Sequence, residues 1–89
     1  MVESMHTFPY IQDAGHGWLE VPMKLVTSLG IKVTQYSYRS KDGGTAYLEE
    51  DVDAPTLLRA LKARDEAFTV QERHVDGDCF VRNLPPFVG

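Results

Sequence analysis

An acidic turn at residues 47–55 constrains the fold of this chain more than any other stretch. Tyr47 and Leu48 suit a buried strand, whereas the carboxylates that follow repel one another and favour a turn that reaches water. Four carboxylates lie within five residues: Glu49, Glu50, Asp51 and Asp53. Asp53 suits the N-cap of a helix and Pro55 suits its first turn. Apolar residues follow at helical spacing at Ala54, Leu57, Leu58 and Leu61. The stretch therefore predicts the end of a strand and the start of the longest helix.

The composition is that of one small globular domain covering residues 1–89. The 89 residues are 43% hydrophobic and 25% charged, which is typical of folded protein and not of a disordered tail. The net charge of −4 disfavours nonspecific binding to nucleic acid and to anionic membranes. Cys79 is the single cysteine, so no internal disulfide is expected, and no signal segment or long apolar run is evident. We therefore expect a cytoplasmic protein without direct nucleic-acid or membrane contact.

The first part of the chain predicts two paired strands. Residues 5–11 contain Pro9 and suit an edge strand or an extended arm, because proline cannot donate to a central ladder. Residues 12–17 have the composition of a turn, and residues 18–21 suit a second short strand. The two strands are expected to form a hairpin.

The middle of the chain predicts a short helix and a second hairpin. The helix begins at Pro22 and ends at Gly30, where a left-handed residue is wanted. Residues 33–40 are rich in β-branched and aromatic side chains and suit a strand. A turn at residues 41–44 leads to the return strand at residues 45–49.

The last part of the chain predicts the longer helix and a final hairpin. The helix from the acidic turn is expected to end at residue 66 or 67. Residues 68–75 and 79–82 suit two strands joined by a turn at residues 76–78. Residues 84–89 are apolar and proline-rich, and they either pack on the core or offer Phe87 to a partner; we expect packing.

Together these elements predict an α+β fold, with a small, mainly antiparallel sheet of five to six strands and two helices on one face. A ferredoxin-like split β-α-β arrangement with extra strands at either end is one topology that fits. A simple antiparallel meander with two helices on one face is the other.

His16 is the best candidate for polar chemistry before the acidic turn. It lies between Gly15 and Gly17 and follows Asp13, and an imidazole transfers protons or binds metal. The competing interpretation is structural: the two glycines supply positive φ for a tight turn, and His16 caps a neighbouring backbone group.

A metal site is a weaker hypothesis. His16, Glu49 and Asp51, with His74 as an additional ligand, combine imidazole with carboxylate in a way that suits zinc, manganese or magnesium. No ligand spacing of a known metal motif supports this set. We therefore expect no cofactor and no resident metal.

Neither a nucleophile nor an RNA-binding face is indicated. Cys79 lies in a predicted strand next to Phe80 and Val81 without nearby glycine-rich geometry, so a buried thiol in the core is expected. Tyr36, Tyr38 and Tyr47 could stack on bases, but the acidic balance and the absence of a basic stripe argue against RNA.

Three segments give the chain a resemblance to a family. Residues 13–19 read Asp-Ala-Gly-His-Gly-Trp-Leu, residues 36–38 read Tyr-Ser-Tyr, and residues 47–51 read Tyr-Leu-Glu-Glu-Asp. This pattern, spanning about residues 10–82, resembles short uncharacterised proteins encoded by bacterial phages, plasmids and integrated elements. The resemblance implies a small accessory protein that binds a host macromolecule, a class that includes inhibitors of defence systems such as anti-CRISPR proteins.

In that context we expect a protein-binding module rather than an enzyme. Carboxylates pair bidentately with arginine and steer encounter with basic surfaces, so the expected partner is a host or element protein with a basic surface. The expected contact residues are Glu49, Glu50, Asp51, Asp53, His16, Trp18 and Tyr38. Two alternatives are a small metal-dependent enzyme that uses His16 with Glu49 and Asp51, and a structural domain that forms a homodimer through strand edges.

Overall fold

The computed structural model describes residues 5–77 and 79–87. The strands there are β1 (Met5–Gln12), β2 (Gly17–Pro22), β3 (Tyr38–Arg39), β4 (Thr45–Glu49) and β5 (Ala67–His74). The helices are α1 (Met23–Leu29) and α2 (Asp53–Ala63), and a 3-10 helix follows at Phe80–Asn83. The α+β fold with a small sheet is confirmed.

The strands form one mixed sheet in the order β3-β4-β2-β1-β5. β1 with β2, β2 with β4 and β3 with β4 are antiparallel pairs, and β1 with β5 is parallel. The mainly antiparallel sheet and both of the first two hairpins are therefore confirmed. The meander topology is wrong, because β2 and β4 are neighbours although β3 lies between them in sequence.

Two split β-α-β units organise the sheet. β2 and β3 run in the same direction with β4 between them, and α1 connects them. β4 and β5 also share a direction and are connected by α2, but both β2 and β1 lie between them. The extra strands expected at the sheet's ends are thus wrong: the additional strand, β1, is inserted inside the sheet.

The prediction that residues 5–11 form an edge strand or an arm is also wrong, because β1 has neighbours on both sides. Pro9 is tolerated because the pairing with β2 covers only Tyr10, Ile11 and Gln12. The N-terminal half of β1 pairs with β5 alone. The missing proline N–H therefore interrupts no bond to β2.

Both helices cover one face of the sheet, as predicted. Alternate residues of β2 and β4 point to this face, and α2 adds Leu57 and Leu61, which are fully buried. The buried cluster comprises Phe8, Leu19, Val21, Val26, Val33, Ala46, Leu48, Ala54, Leu57 and Leu61. Burial of this apolar surface is the main stabilising contribution to the domain.

The opposite face carries a second buried cluster beneath the C-terminal segment. It comprises Ile11, Trp18, Tyr47, Cys79 and Val81. Cys79 is buried, as expected of a core thiol. The strand predicted at residues 79–82 is wrong: Phe80–Asn83 is a 3-10 helix, with i to i+3 bonds from Arg82 N–H to Cys79 O and from Leu84 N–H to Val81 O.

The strand predicted at residues 33–40 is reduced to Tyr38–Arg39. Residues 34–37 form a turn in which the Ser37 N–H donates to the Thr34 carbonyl, and both side chains are drawn towards α2. Residues 85–87 run along the other side of β3, and the Phe87 N–H donates to Ser37 O at 2.8 Å. Packing of the tail is confirmed for residues 84–87, and residues 88 and 89 lie outside the described residues.

A residue with left-handed backbone conformation follows the C-terminal end of each α-helix. Gly30 ends α1 with φ 65°, as predicted. α2 ends at Ala63, earlier than residue 66 or 67, and Asp65 takes a left-handed φ of 58°, which a helix cannot continue through. Gly77 has φ 74° in the predicted turn at residues 76–78, of which residue 78 lies outside the described residues.

No helix in residues 5–77 and 79–87 combines the length and the apolar character that a membrane crossing requires.

Candidate partner-binding groove

Glu49 caps the N-terminus of α2. Its Oε2 accepts the N–H of Asp51 at 2.9 Å, and its Oε1 accepts the N–H groups of Val52 and Asp53, the latter at 3.0 Å. The N–H groups of Val52 and Asp53 are among those that a helix start leaves without internal partners, and the bond to Asp51 fixes the residue before them. The prediction that Asp53 is the N-cap is therefore wrong, since the helix begins at Asp53 and its side chain caps nothing in α2.

Asp53 instead faces inward and is only 1% exposed. Its carboxylate accepts the Thr34 N–H at 3.1 Å, the Thr34 hydroxyl at 2.7 Å and the Ser37 hydroxyl. Ser37 Oγ in turn accepts the Glu49 N–H at 2.9 Å. This chain of bonds fixes the turn at residues 34–37 against the start of α2.

Glu50 points away from Glu49, to the helix-covered face of the sheet. Its carboxylate accepts the hydroxyl hydrogen of Tyr10 at 2.7 Å. Burial, followed by this bond to Glu50, raises the pKa of Tyr10 well above its usual value. Glu50 therefore contributes to a different surface from Glu49 and Asp51.

The loop that carries His16 is built on Asp13. Asp13 Oδ1 accepts the N–H of Gly15 at 3.0 Å and that of His16 at 2.9 Å. The expectation of positive φ at Gly15 and Gly17 is wrong; Gly17 is needed for space. A Cβ on Gly17 would lie 2.2 Å from the Tyr10 hydroxyl oxygen. The His16 side chain is exposed, and its ring centroid is 6.1 Å from that of Trp18.

Arg82 joins the loop to the sheet. Its Nε donates to Asp13 Oδ2 at 2.7 Å and its Nη2 donates to Oδ1 at 3.0 Å, while its guanidinium carbon lies 5.3 Å from the Trp18 ring centroid. The bonds from Arg82, together with the backbone N–H groups of His16, Cys79 and Gly15, hold the pKa of Asp13 far below its usual range.

These elements enclose a groove of about 390 Å³. It is lined by His16, Trp18, Gln35, Tyr36, Tyr38, Glu49, Asp51, Val52 and Arg82. Five of the seven expected contact residues thus meet in one place, although they come from three separate segments. Glu50 lies outside the groove, and Asp53 is buried beneath its wall.

Sequence reasoning missed four of the lining residues: Gln35, Tyr36, Val52 and Arg82. Tyr36 is 66% exposed and Val52 is 51% exposed, so both present apolar surface to solvent at the rim. The sequence marks Tyr36 only as part of the Tyr-Ser-Tyr segment and as an aromatic residue that could stack on bases. Arg82 had been assigned to a strand, and nothing local in the sequence pairs it with Asp13.

The groove combines aromatic surface with charges of both signs. Trp18 and Tyr38 pack edge to face at 6.1 Å and form its interior. Asp51 is exposed at one wall, and Arg82 lies at the other, held by Asp13. Such a surface can hold an aromatic or aliphatic side chain and accept hydrogen bonds from a cation at its rim.

The convergence that a metal-dependent enzyme requires is not found among residues 5–77 and 79–87, where no three His, Cys, Asp or Glu side chains could hold an ion together. His16, Glu49 and Asp51 share the groove, but both Glu49 oxygens accept backbone N–H groups. His74 belongs to β5, outside the groove.

Comparison with protein-family models, with curated proteins and with solved structures found no match. The fold and the groove define the class: a small α+β protein with an aromatic, charge-bearing surface groove.

Proposed function

We propose that this protein is a binding module for another protein, and that the groove forms the contact together with the exposed carboxylate of Asp51 at its wall. The observation that supports this proposal most directly is one groove lined by Trp18, Tyr36, Tyr38 and Arg82, with Tyr36 exposed at its rim. Tyrosine, tryptophan and arginine are the residues that most often dominate the energy of protein interfaces.

The bonds beneath the groove support this function, because they order it before a partner arrives. The Asp53 carboxylate fixes Thr34 and Ser37, on either side of Gln35 and Tyr36. On the opposite wall, Asp13 fixes Arg82 across Trp18. A contact surface that is already rigid loses less conformational entropy on binding.

The charge around the groove favours a partner with a basic surface. The chain carries a net charge of −4, and Asp51 is exposed at the groove wall. A partner arginine can stack on Tyr36 and donate to Asp51, which combines cation–π and charge-assisted contacts. The negative field also accelerates encounter with a basic partner.

The more specific role that we propose is inhibition of a host defence system, in the manner of an anti-CRISPR protein, by a protein of a mobile genetic element. The resemblance of residues 13–19, 36–38 and 47–51 to phage and plasmid proteins supports this role. Such an inhibitor acts by occupying a macromolecular surface and needs no catalytic residues.

The test is capture of a partner from nuclease-treated bacterial lysate by the tagged protein, followed by a binding titration with the purified partner. The test variant combines Tyr36→Ser with Asp51→Lys, two changes at exposed positions. The matched control is Asp76→Lys, the same charge change at an exposed residue outside the groove. We expect the control to bind like wild type and the double variant to lose binding by 100-fold or more, roughly the loss of two hot-spot contacts.

Equal binding by the double variant would show that the groove is not the contact. A stoichiometric partner that belongs to a defence system would support the specific role, and a partner of another kind would reject that role while leaving the binding module intact.

A further inference from the structure

The two edge strands of the sheet, β3 and β5, differ in length and in how far other backbone covers them. β3 is two residues long, and the C-terminal segment runs beside it: the Arg39 N–H donates to Pro85 O at 3.0 Å, and Tyr38 bridges to Pro86. β5 is eight residues long, and no strand of the described residues pairs with its outer side. Proteins usually shorten or cover their edge strands, and within residues 5–77 and 79–87 the sheet does so at the β3 edge but not at the β5 edge.

The outward hydrogen-bonding groups of β5 can be assigned. The Val75 N–H donates to Gln12 O at 2.8 Å, so the backbone groups of Val75 point towards β1. These groups alternate in direction along a strand. The odd-numbered residues of β5 therefore also point towards β1, and the N–H and C=O groups of Phe68, Val70 and Glu72 point outward.

The side chains of β5 are exposed to solvent along most of the strand. Every residue from 69 to 74 is exposed, and Val70, in the middle of the strand, is one of the exposed large hydrophobic residues at 40%. The strand contains no proline or glycine. Its charges, Glu72 and Arg73, are confined to the C-terminal half, so the centre of the edge lacks the usual protection against pairing.

We propose that β5 pairs with β5 of a second copy of this chain, antiparallel across a two-fold axis at Val70. The pairing would join the two sheets into one. Val70 would lie opposite Val70 of the second copy, Thr69 opposite Gln71, Phe68 opposite Glu72, and Ala67 opposite Arg73.

Symmetry and charge select this register. Antiparallel strands related by a two-fold axis share their faces, so the axis passes through one residue. An axis at Glu72 would set two carboxylates opposite each other, which is unfavourable. An axis at Gln71 would set each exposed Val70 opposite Glu72. The axis at Val70 pairs the two valines, sets no charge opposite a like charge, and engages the outward groups of Phe68, Val70 and Glu72.

The groove stays accessible in such a dimer. Its lining residues belong to β2, β3, β4 and neighbouring segments, and β1 separates these strands from β5. The dimer would therefore present two copies of the groove, and its formation does not depend on the function proposed for the groove.

The first test is sedimentation equilibrium over a dilution series. We expect wild type to approach twice the chain mass of 10.0 kDa at high concentration and to dissociate on dilution. Val70→Lys places two ammonium groups at the axis and should remain at 10.0 kDa throughout. The matched control is Thr27→Lys, at an exposed position on α1, which should dimerise like wild type; far-ultraviolet circular dichroism checks that both variants are folded.

The second test is cross-linking through Val70→Cys. Directly opposed residues of a hydrogen-bonded antiparallel pair have Cα atoms about 5.5 Å apart, within the range of a disulfide. We expect oxidation to convert Val70→Cys to a covalent dimer and to leave Thr27→Cys monomeric, with the native Cys79 protected by burial. A wild type that stays monomeric at its highest soluble concentration, a dimer that survives Val70→Lys, or a Val70→Cys that does not cross-link would each overturn the proposal.

Discussion

Arg82 lies across the ring of Trp18, with its guanidinium carbon 5.3 Å from the ring centroid. The same guanidinium is held in place by two hydrogen bonds to Asp13. Arg82 therefore links the 3-10 helix to the hairpin loop between β1 and β2, and with Trp18 it lines the groove.

Replacement of Arg82 should loosen this part of the groove lining. Arg82→Ala removes both bonds to Asp13 and the stack on Trp18, and Arg82→Lys keeps the charge but not the planar fork or the stacking. We expect the urea midpoint to fall in the order wild type, Arg82→Lys, Arg82→Ala. Because Trp18 is the only tryptophan, its fluorescence reports the site directly, and an unchanged spectrum in Arg82→Ala would contradict the stacking.

Asp13 should make the stability of the protein sensitive to acid. Its pKa is lowered in the folded state, first by Arg82 and then by backbone N–H groups. A lowered pKa gives a stabilisation that is fully present above the unfolded value, about 3.9, and that is lost as the pH falls through the folded value. Urea midpoints measured from pH 7 to pH 2 should therefore fall on acidification.

The control for this acid effect is Asp13→Asn, which should start from a lower midpoint and fall less between pH 5 and pH 2. Some acid dependence should remain in the variant, because bonds from Ser40 lower the pKa of Asp42 and bonds from His6 and Arg64 lower that of Glu66. Identical slopes for wild type and Asp13→Asn would contradict the assignment.

Asp53 should contribute to stability more than its place at a helix start suggests. Asp53→Ala removes the acceptor of the Thr34 and Ser37 bonds and leaves buried donors without partners. We expect a loss of about 2–4 kcal/mol in the free energy of unfolding. An N-cap at an exposed helix end would cost only about 1 kcal/mol, so urea denaturation separates the two roles.

A double-mutant cycle tests whether this loss of stability comes from the bond between Asp53 and Ser37. Asp53→Ala and Ser37→Ala should be strongly non-additive, since they remove the same bond. Asp53→Ala with Asp76→Ala, a distant exposed residue, should be additive.

Gly17 should tolerate no side chain while Tyr10 is present. A Cβ at Gly17 would lie 2.5 Å from Tyr10 Cζ, and the Tyr10 hydroxyl is fixed by its bond to Glu50. We expect Gly17→Ala to destabilise the fold by about 1–3 kcal/mol and to lower the pKa of Tyr10 towards its usual value as the ring is displaced. Spectroscopic titration of the phenol measures the shift, and Tyr10→Leu should rescue Gly17→Ala but not Gly30→Ala, whose strain comes from φ 65°.

Local patterns in the sequence were sufficient for the elements with local causes. The turn at residues 41–44 predicted β4 as a return strand, the helical spacing of Leu57 and Leu61 predicted α2, and Gly30 marked the end of α1. In each case the residues that determine the structure are neighbours in sequence, so a short stretch of sequence is enough to predict the element.

The features that the sequence did not predict correctly depend on contacts between distant segments. Residues 79–82 alternate like a strand, but Cys79 and Arg82 are bound by Asp13, which is 66 and 69 positions earlier. Asp53 has the chemistry of an N-cap, yet it turns inward because Thr34 and Ser37 offer donors there. The groove was predicted only as separate residues, because His16, Tyr38 and Asp51 come together only when β2, β3 and β4 are assembled.

The C-terminal residues beside β3 have a further consequence for assembly. With Pro85 and Pro86 in place, the described residues leave one edge of the sheet open, so self-association through edges would close at two copies. A chain shortened before Pro85 would expose the backbone of Tyr38 and Arg39 as a second edge. A sheet with two different open edges can add copies head to tail without limit, so these few residues would separate the proposed finite dimer from a growing fibre.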